Sequence, residues 1–434
     1  MSREMKDSGI AWLGMIPSKW DTISFSQGTK RLGTGLNPRD NFVLTKDDEF
    51  YYVTIRNYKN GILYLDDRCD RISKTAWEII QERSQLEKGD ILFASISQDG
   101  QAYIVSEEPR NWNINESVFS IKVDNKRFYE KYFYYHLIDK AYYSDLRMDA
   151  TGTTFQSIKQ NKLKKSRMVL PPLSEQHRIA NYLDEKCAEI DNVLEKTRAS
   201  IEEYKKLKQS VITLAVTRGV RGDRPMKDSG IEWIGVVPED WNVKRGKALF
   251  HEVKNQSTTG TEELLTVSQY TGITPRSQKN VTMFQSESLV GYKIVEIGDI
   301  GANTMWLWDG AIGVSTYRGV ISPSYNVYRQ SNGDYDSKYL NYLLRNPLIV
   351  QHYESRSTGI RASRLRLYPQ QFLSIMFPVP DINEQRAIAE YLDTKCKGIE
   401  TLIEKKNKLI ADLEGYKNSL IYEYVTGKKE VSQA

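Results

Sequence analysis

Met5-Lys6-Asp7-Ser8-Gly9-Ile10-Ala11-Trp12-Leu13-Gly14, continuing through Pro17 to Trp20, is written a second time as Met226-Lys227-Asp228-Ser229-Gly230-Ile231-Glu232-Trp233-Ile234-Gly235, through Pro238 to Trp241. Ten of these sixteen positions are identical. A second stretch, Glu175 to Asp191, returns as Glu384 to Glu400 with ten of seventeen positions identical. The offsets are 221 and 209 residues, so the intervening segments differ in length by 12 and share little else. Repetition on this scale announces a duplicated architecture. Constant ends must satisfy the same structural partners in both halves. The divergent middles face different ones.

The middles read as mixed α/β. Short segments rich in β-branched and aromatic residues, bounded by Gly, Asp or Asn, predict strands over 49–55, 89–96, 117–123 and 166–170 in the first half. In the second half they predict strands over 263–267, 292–297, 325–329 and 374–379. Helical stretches over 126–140 and 337–344 lie between them. The constant tails are a different kind of helix. From Ala180 an apolar seam runs Leu183, Cys187, Ile190, Leu194, Thr197, Ile201, Tyr204, Lys208, Val211, Ala215, in steps that alternate three and four. Shifted by 209 it becomes Ala389, Leu392, Cys396, Ile399, Ile403, Lys406, Ile410, Leu413, Lys417, Leu420, Tyr424. Prolines at 171, 172, 378 and 380 mark the helix starts, and Gly219 and Gly427 the ends. The expected fold is α+β: two mixed α/β domains in pseudo-two-fold arrangement, joined and spaced by two long antiparallel coiled-coil helices. The expected boundaries are 1–170, 171–218, 219–377 and 378–434. An amphipathic helix that merely covers its own domain is the competing reading of each tail.

Composition sets outer limits. A net charge of +5 over 434 residues permits nucleic-acid binding without establishing it. Three cysteines (Cys69, Cys187, Cys396) offer neither a disulfide framework nor a CxxC metal pair, which fits a reduced, cytoplasmic protein. No apolar run approaches the roughly 20 residues that span a bilayer, and no membrane partner is expected. No phosphate loop, dinucleotide fingerprint, HExxH or Asn-Pro-Pro-aromatic motif is present, so neither a catalytic nor a metal-binding residue is assigned. The four histidines (His136, His177, His251, His352) are scattered and read as surface or locally bonded residues.

Taken together, the duplicated heads at Asp7 to Trp20 and Asp228 to Trp241 and the duplicated helix starts resemble the specificity subunit of type I restriction-modification systems. The helix starts read Pro-Pro-Leu-Ser-Glu-Gln-His-Arg-Ile-Ala at 171–180 and Pro-Val-Pro-Asp-Ile-Asn-Glu-Gln-Arg-Ala-Ile-Ala at 378–389. The resemblance covers essentially the full length. It implies two target-recognition domains, each reading one half of a split site on double-stranded DNA, with the helices setting the spacer. It implies docking of two methyltransferase subunits that methylate adenine, and of motor-nuclease subunits in the full enzyme. No cofactor is then expected in this chain; S-adenosylmethionine, and ATP with magnesium, belong to the partners. A pseudo-symmetric adaptor that joins protein partners without reading DNA is the alternative.

Base-reading residues should lie on loops at matched places in the divergent middles. One pair of loops follows the Gly-Asp strand. It offers Ser97, Gln98 and Gln101 in the first half, with Ser95 and Asp99 beside them, and Asn303, Thr304 and Trp306 in the second, with Trp308. The other is the Thr-Gly segment before the last strand: Thr153, Thr154 and Gln156 in the first half, Arg361, Arg364 and Arg366 in the second. Lys159 and Lys162, with Lys164 and Lys165, make a cluster suited to phosphate, or an ordinary solvated face. The repeated Trp12, Trp20, Trp233 and Trp241 are expected to pack the constant part of each half.

Overall fold

The computed structural model describes residues 3–39, 41–59, 61–97, 100–148, 157–279, 288–359 and 365–431. The chain forms two units, Met1–Thr197 with Lys408–Ala434, and Arg198–Asn407. The division passes through the middle of both long helices, Leu173–Arg218 and Ile382–Val425. The physical reason is burial: each globular part shares one core with half of each helix.

In the first unit, an antiparallel four-stranded sheet runs in the order Thr29–Thr34, Val118–Val123, Ile91–Ala94, Ala102–Ile104. A three-stranded sheet holds Phe50–Val53 between Trp112–Ile114, parallel to it, and Asp70–Ile72, antiparallel. Helix Lys74–Ser84 starts where the Ser73 hydroxyl accepts the Ala76 N–H. Its Trp77 donates through the indole to the Trp112 carbonyl at 3.0 Å. The pattern predicts one helix over 126–140. The structure has Glu130–Ile138 followed by a second helix, Lys140–Arg147. Asp139 separates them: its extended backbone ends the first, and its carboxylate accepts the Ala141 N–H to cap the second.

The second unit repeats the sheet. Phe250–Val253, Asn326–Gln330, Ile300–Ala302 and Ile312–Val314 pair antiparallel in the same order. Helix Ser337–Leu344 begins at Asp336 and helix Pro347–Arg356 at Asn346, each capped by that residue's side chain, with proline where no backbone donor is needed. In both units a strand pair ties the constant head to the residues just before a long helix. The pairs are Asp21–Ser24 with Arg167–Leu170, and Asn242–Arg245 with Met376–Val379.

Within the first unit, Leu183, Cys187, Ile190 and Leu194 of the first long helix share a core with Leu420, Ile421 and Val425 of the second, and with Trp20, Phe133 and Tyr132. Within the second unit, Ala215 and Val216 share a core with Ala389, Leu392 and Trp241. Ile201, Cys396 and Ile399 are buried as well, while Val211, Ile403 and Ile410 are half-buried. Each fully buried Leu or Ile contributes about 1.5–3 kcal/mol relative to exposure. The polar seam positions have partners: Lys417 pairs with Asp191 at 2.7 Å in the first unit, and Lys208 with Glu400 in the second. Lys406 lies over the Tyr204 ring. These contacts pair the start of one helix with the end of the other, so the helices run antiparallel.

The three thiols are free and buried, and burial pushes Cys187 up to about 11. Of the two placements expected for the histidines, on the surface or locally bonded, His136 lies off the surface and is bonded. It is fully buried, its Nε2 accepts the Val169 N–H at 3.4 Å, and burial pushes its pKa down to about 3. Among the described residues, no helix is long and apolar enough to cross a membrane, and no group of three His, Cys, Asp or Glu is placed to hold a metal ion.

Candidate nucleic-acid interface

Any reading surface has to be held by the constant parts, and the central bonds of these repeat in both units. Glu175, in the first turn of its helix, accepts Arg3 at 2.5 Å and the Trp20 indole at 2.8 Å, with Arg3 over the Trp20 ring. Glu384 accepts Arg224 at 2.6 Å and the Trp241 indole at 3.1 Å, with Arg224 over Trp241. The next residue is a buried connector. Gln176 accepts the Tyr129 N–H and donates to the carbonyls of Arg127 and Pro171. Gln385 accepts the Asp336 N–H and donates to those of Asp334 and Pro380. Asp184 takes Lys131 and the Tyr135 hydroxyl; Asp393 takes Lys338 and the Tyr342 hydroxyl. The repeat signalled these residues, yet Arg3, Arg224, Gln176 and Gln385 had no role in the sequence reading.

The Gly-Asp turns repeat too. Asp90 and Asp299 each accept a backbone N–H three residues upstream, from Glu87 and Glu296, and each is buried. Arg31 closes on Asp90 at 2.5 Å, and Arg329 grips Asp299 with two bonds of 2.6 and 2.7 Å. Burial holds Asp90 above the ordinary carboxylate range despite that cation. The loops that follow are therefore anchored at their bases.

In the first unit, Ser97 is built into its loop. Its hydroxyl bonds the Tyr143 hydroxyl at 3.0 Å and accepts the N–H groups of Gly100 and Gln101. The Gln101 carbonyl accepts the Ala94 N–H. Gln98 lies outside the described residues, as do Thr153, Thr154, Gln156, Arg361 and Arg364. In the second unit, Asn303 and Thr304 are buried and turned inward. The Asn303 amide donates to the Tyr325 hydroxyl at 2.9 Å, and the Thr304 hydroxyl donates to the Ser324 carbonyl at 2.8 Å while accepting from Asn326. Their polar groups are spent on closing the turn. Trp306, in contrast, is exposed and stacks with Trp308 at 5.7 Å between ring centres.

Lys159, Lys164 and Lys165 are exposed at helix Gln160–Lys165, whereas Lys162 is half-buried. Arg366 exchanges backbone bonds of 2.9 Å with Thr358, so the Thr-Gly segment of the second unit leaves from a paired base. The Arg366 guanidinium donates to the Leu365 carbonyl.

The long helices carry one more feature. Val193, Leu207 and Leu214 on the first, and Leu402, Leu409 and Tyr416 on the second, are exposed. Each immediately precedes a seam residue, at the heptad position that flanks one side of the seam. The first unit contributes Val193, Leu409 and Tyr416; the second contributes Leu207, Leu214 and Leu402. The opposite flank is charged, with Asp184, Asp191 and Lys205 on one helix and Asp393, Glu400 and Glu414 on the other.

The model of the type I restriction modification DNA specificity domain matches residues 33–203 and again 238–411. Over 96% of both chains, the sequence is 24% identical to a protein named as a putative type I restriction enzyme MjaX specificity subunit of Methanocaldococcus jannaschii. It is 25% identical to the MjaVIII specificity subunit of the same organism, over 73% of this chain and 74% of that one. A chain from a structure described as the basis of complex assembly and conformational transition of the type I R-M system superposes with a TM-score of 0.68. It has 15% identity and covers 95% of this chain and 99% of that one. The HsdS subunit from Thermoanaerobacter tengcongensis gives a TM-score of 0.50 at 14% identity, over 95% and 98% of the two chains.

Proposed function

Because the chain belongs to the type I restriction-modification DNA specificity family, we propose that it reads a two-part asymmetric site on double-stranded DNA, one half per unit. On this reading it docks two methyltransferase subunits that methylate adenine, and the motor-nuclease subunits in the full enzyme. It supplies no chemistry itself. S-adenosylmethionine, and ATP with magnesium, act in the partners. The length of the two helices sets the spacer between half-sites, since half-site separation follows protein geometry.

The observation that carries this reading is the split between what repeats and what does not. The Trp–Glu–Arg joints, the buried glutamines and the Lys–acid pairs of the helices occur in both units. The loops after the Gly-Asp turns do not match: one is closed by Ser97 and Tyr143, the other presents Trp306. A protein bound alike by both halves meets repeated residues, and the exposed flank of the helices offers two such matched pairs, Val193 with Leu402 and Leu207 with Tyr416, to the methyltransferase subunits. Unlike half-sites meet unlike loops. The exposed lysines of helix Gln160–Lys165 suit phosphate, giving register and salt-dependent affinity.

Genome-wide mapping of methylated adenine with and without this chain tests the reading. The expected result is a two-part methylated motif that vanishes on deletion. An unchanged methylation pattern refutes it.

A further inference from the structure

The hairpin between Ile300–Ala302 and Ile312–Val314 ends in a tip that the closing of the turn does not require to be apolar. Met305 is 40% exposed and Trp306 is 46% exposed. Leaving a tryptophan in water forfeits burial energy on the order of 1 kcal/mol or more. The tip is also held still. Asn303 accepts the Met305 N–H on its side chain and the Trp306 N–H on its carbonyl, the latter at 2.9 Å. The Trp306 carbonyl accepts from Asp309 and Ala311. Behind it, Trp308 stacks on Trp306 and donates its indole N–H to the Met305 carbonyl at 3.0 Å. Asn303 and Thr304, buried below, bind the turn to residues 324–326. The result is a preorganised apolar point, which loses little conformational freedom when it meets a ligand.

We propose that Met305 and Trp306 form a wedge that enters duplex DNA between two base pairs of the half-site read by the second unit. This rests on the proposed DNA-reading function and specifies how one unit carries it out. The choice of DNA over protein follows from the comparison between units. The matched hairpin of the first unit joins Ile91–Ala94 to Ala102–Ile104 through residues 95–101, which contain no aromatic residue. A protein partner common to both halves would find the tip in one and nothing like it in the other. DNA half-sites differ, so a device present in one unit alone suits them. Apolar side chains inserted at a base step unstack it and bend the helix, and steps that deform easily are preferred. The second half-site is then read partly through deformability, the first through the polar groups of its own loops.

The test uses the full chain assembled with its methyltransferase subunits, on the motif whose methylation depends on the chain. If no such motif exists, the DNA-reading function itself has failed, and that result appears before the wedge is examined. With the motif in hand, 2-aminopurine is placed in turn at every position except the methylated adenines. Binding should raise its fluorescence several-fold at one step in one half-site only. Trp306→Ala should abolish that rise and weaken binding on the order of tenfold, the scale of one lost base–aromatic contact, with the thermal melt of the chain unchanged. Met305→Ala, a milder change at the same tip, should reduce the rise. A flat signal at every step, or a rise that survives both substitutions, overturns the wedge while leaving DNA reading intact. Loss of methyltransferase assembly in Trp306→Ala, with the rise retained in the remaining complex, assigns the tip to protein contact and also overturns it.

Discussion

Glu384→Gln keeps the shape of the side chain and removes its charge, at the centre of the joint that the second unit builds within itself as the first does around Glu175. The Glu384 side chain is 1% exposed and that of Arg224 is 13% exposed. The glutamine can still accept one bond, from Arg224 or from the Trp241 indole. Arg224 would then be left with the Arg218 carbonyl at 3.3 Å and Asp240 at 3.6 Å, an exposed carboxylate, while its Nε and Nη1 already lack hydrogen-bond partners. Removing one member of a buried ion pair costs about 3–5 kcal/mol, because the other charge stays buried. The counterpart in the first unit is wetter, with Arg3 and Glu175 at 22% and 13% exposed. Water there screens the pair, so Glu175→Gln should cost about 1–2 kcal/mol. Urea unfolding of the full chain, followed by circular dichroism, measures both. A shift in midpoint without a change in slope identifies lost stability. Equal losses at the two sites, or a loss below about 1 kcal/mol at Glu384, would refute the argument from burial.

Two buried groups of the first unit should give opposite pH dependences. Burial holds His136 down to about 3, so below about pH 6.5 the unfolded chain takes a proton that the folded chain refuses. The stability of the wild type relative to His136→Gln should therefore fall by about 1.4 kcal/mol per unit as the pH drops from 6.5 towards 3. Asp139, pushed up to about 6 by burial, binds its proton more tightly when folded. Relative to Asp139→Asn, the wild type should lose stability as the pH rises from about 4 to 6, and denaturant midpoints across the range check both slopes. Removing seven residues from each long helix keeps the heptad phase and shortens each by about 10 Å, or about three base pairs at 3.4 Å each. Methylation mapping should then show a changed spacer with unchanged half-site bases. Changed bases with an unchanged spacer would contradict the role given to the helices.

Much of the scaffold was legible because it rests on periodicity and repetition. The strands predicted around Phe50–Val53, Ile91–Ala94 and Asn326–Gln330 form where alternation and turn residues place them, and helix Ser337–Leu344 matches its predicted range. Trp20 and Trp241 are buried as their recurrence implied. Helices Lys140–Arg147 and Pro347–Arg356 were less visible, since each begins at a cap directly after a neighbouring helix and leaves no gap in the pattern. The loops resisted reading for a chemical reason. The side chains that recognise bases, Asn, Thr, Gln and Ser, are those that also close turns. Nothing local says that Asn303 points inward while Trp306, three residues on, stays in water. The exposed flank of the long helices was present as a seven-residue spacing, from Leu207 to Leu214 and from Leu402 through Leu409 to Tyr416, but the seam beside it drew the reading.

The lysine–acid contacts between the long helices also act as a direction key. Each helix places an acid early and a lysine seventeen residues later: Asp191 then Lys208, Glu400 then Lys417. Laid head to tail, each acid meets the other helix's lysine, as Asp191 meets Lys417 and Glu400 meets Lys208. Laid head to head in the matching register, acid would face acid and ammonium would face ammonium, so that alignment is penalised by charge alone. Because one repeat already contains both teeth of the key, a fragment holding a single head and a single helix is self-complementary. Two copies of such a fragment can clasp each other in the orientation that the intact chain adopts within itself.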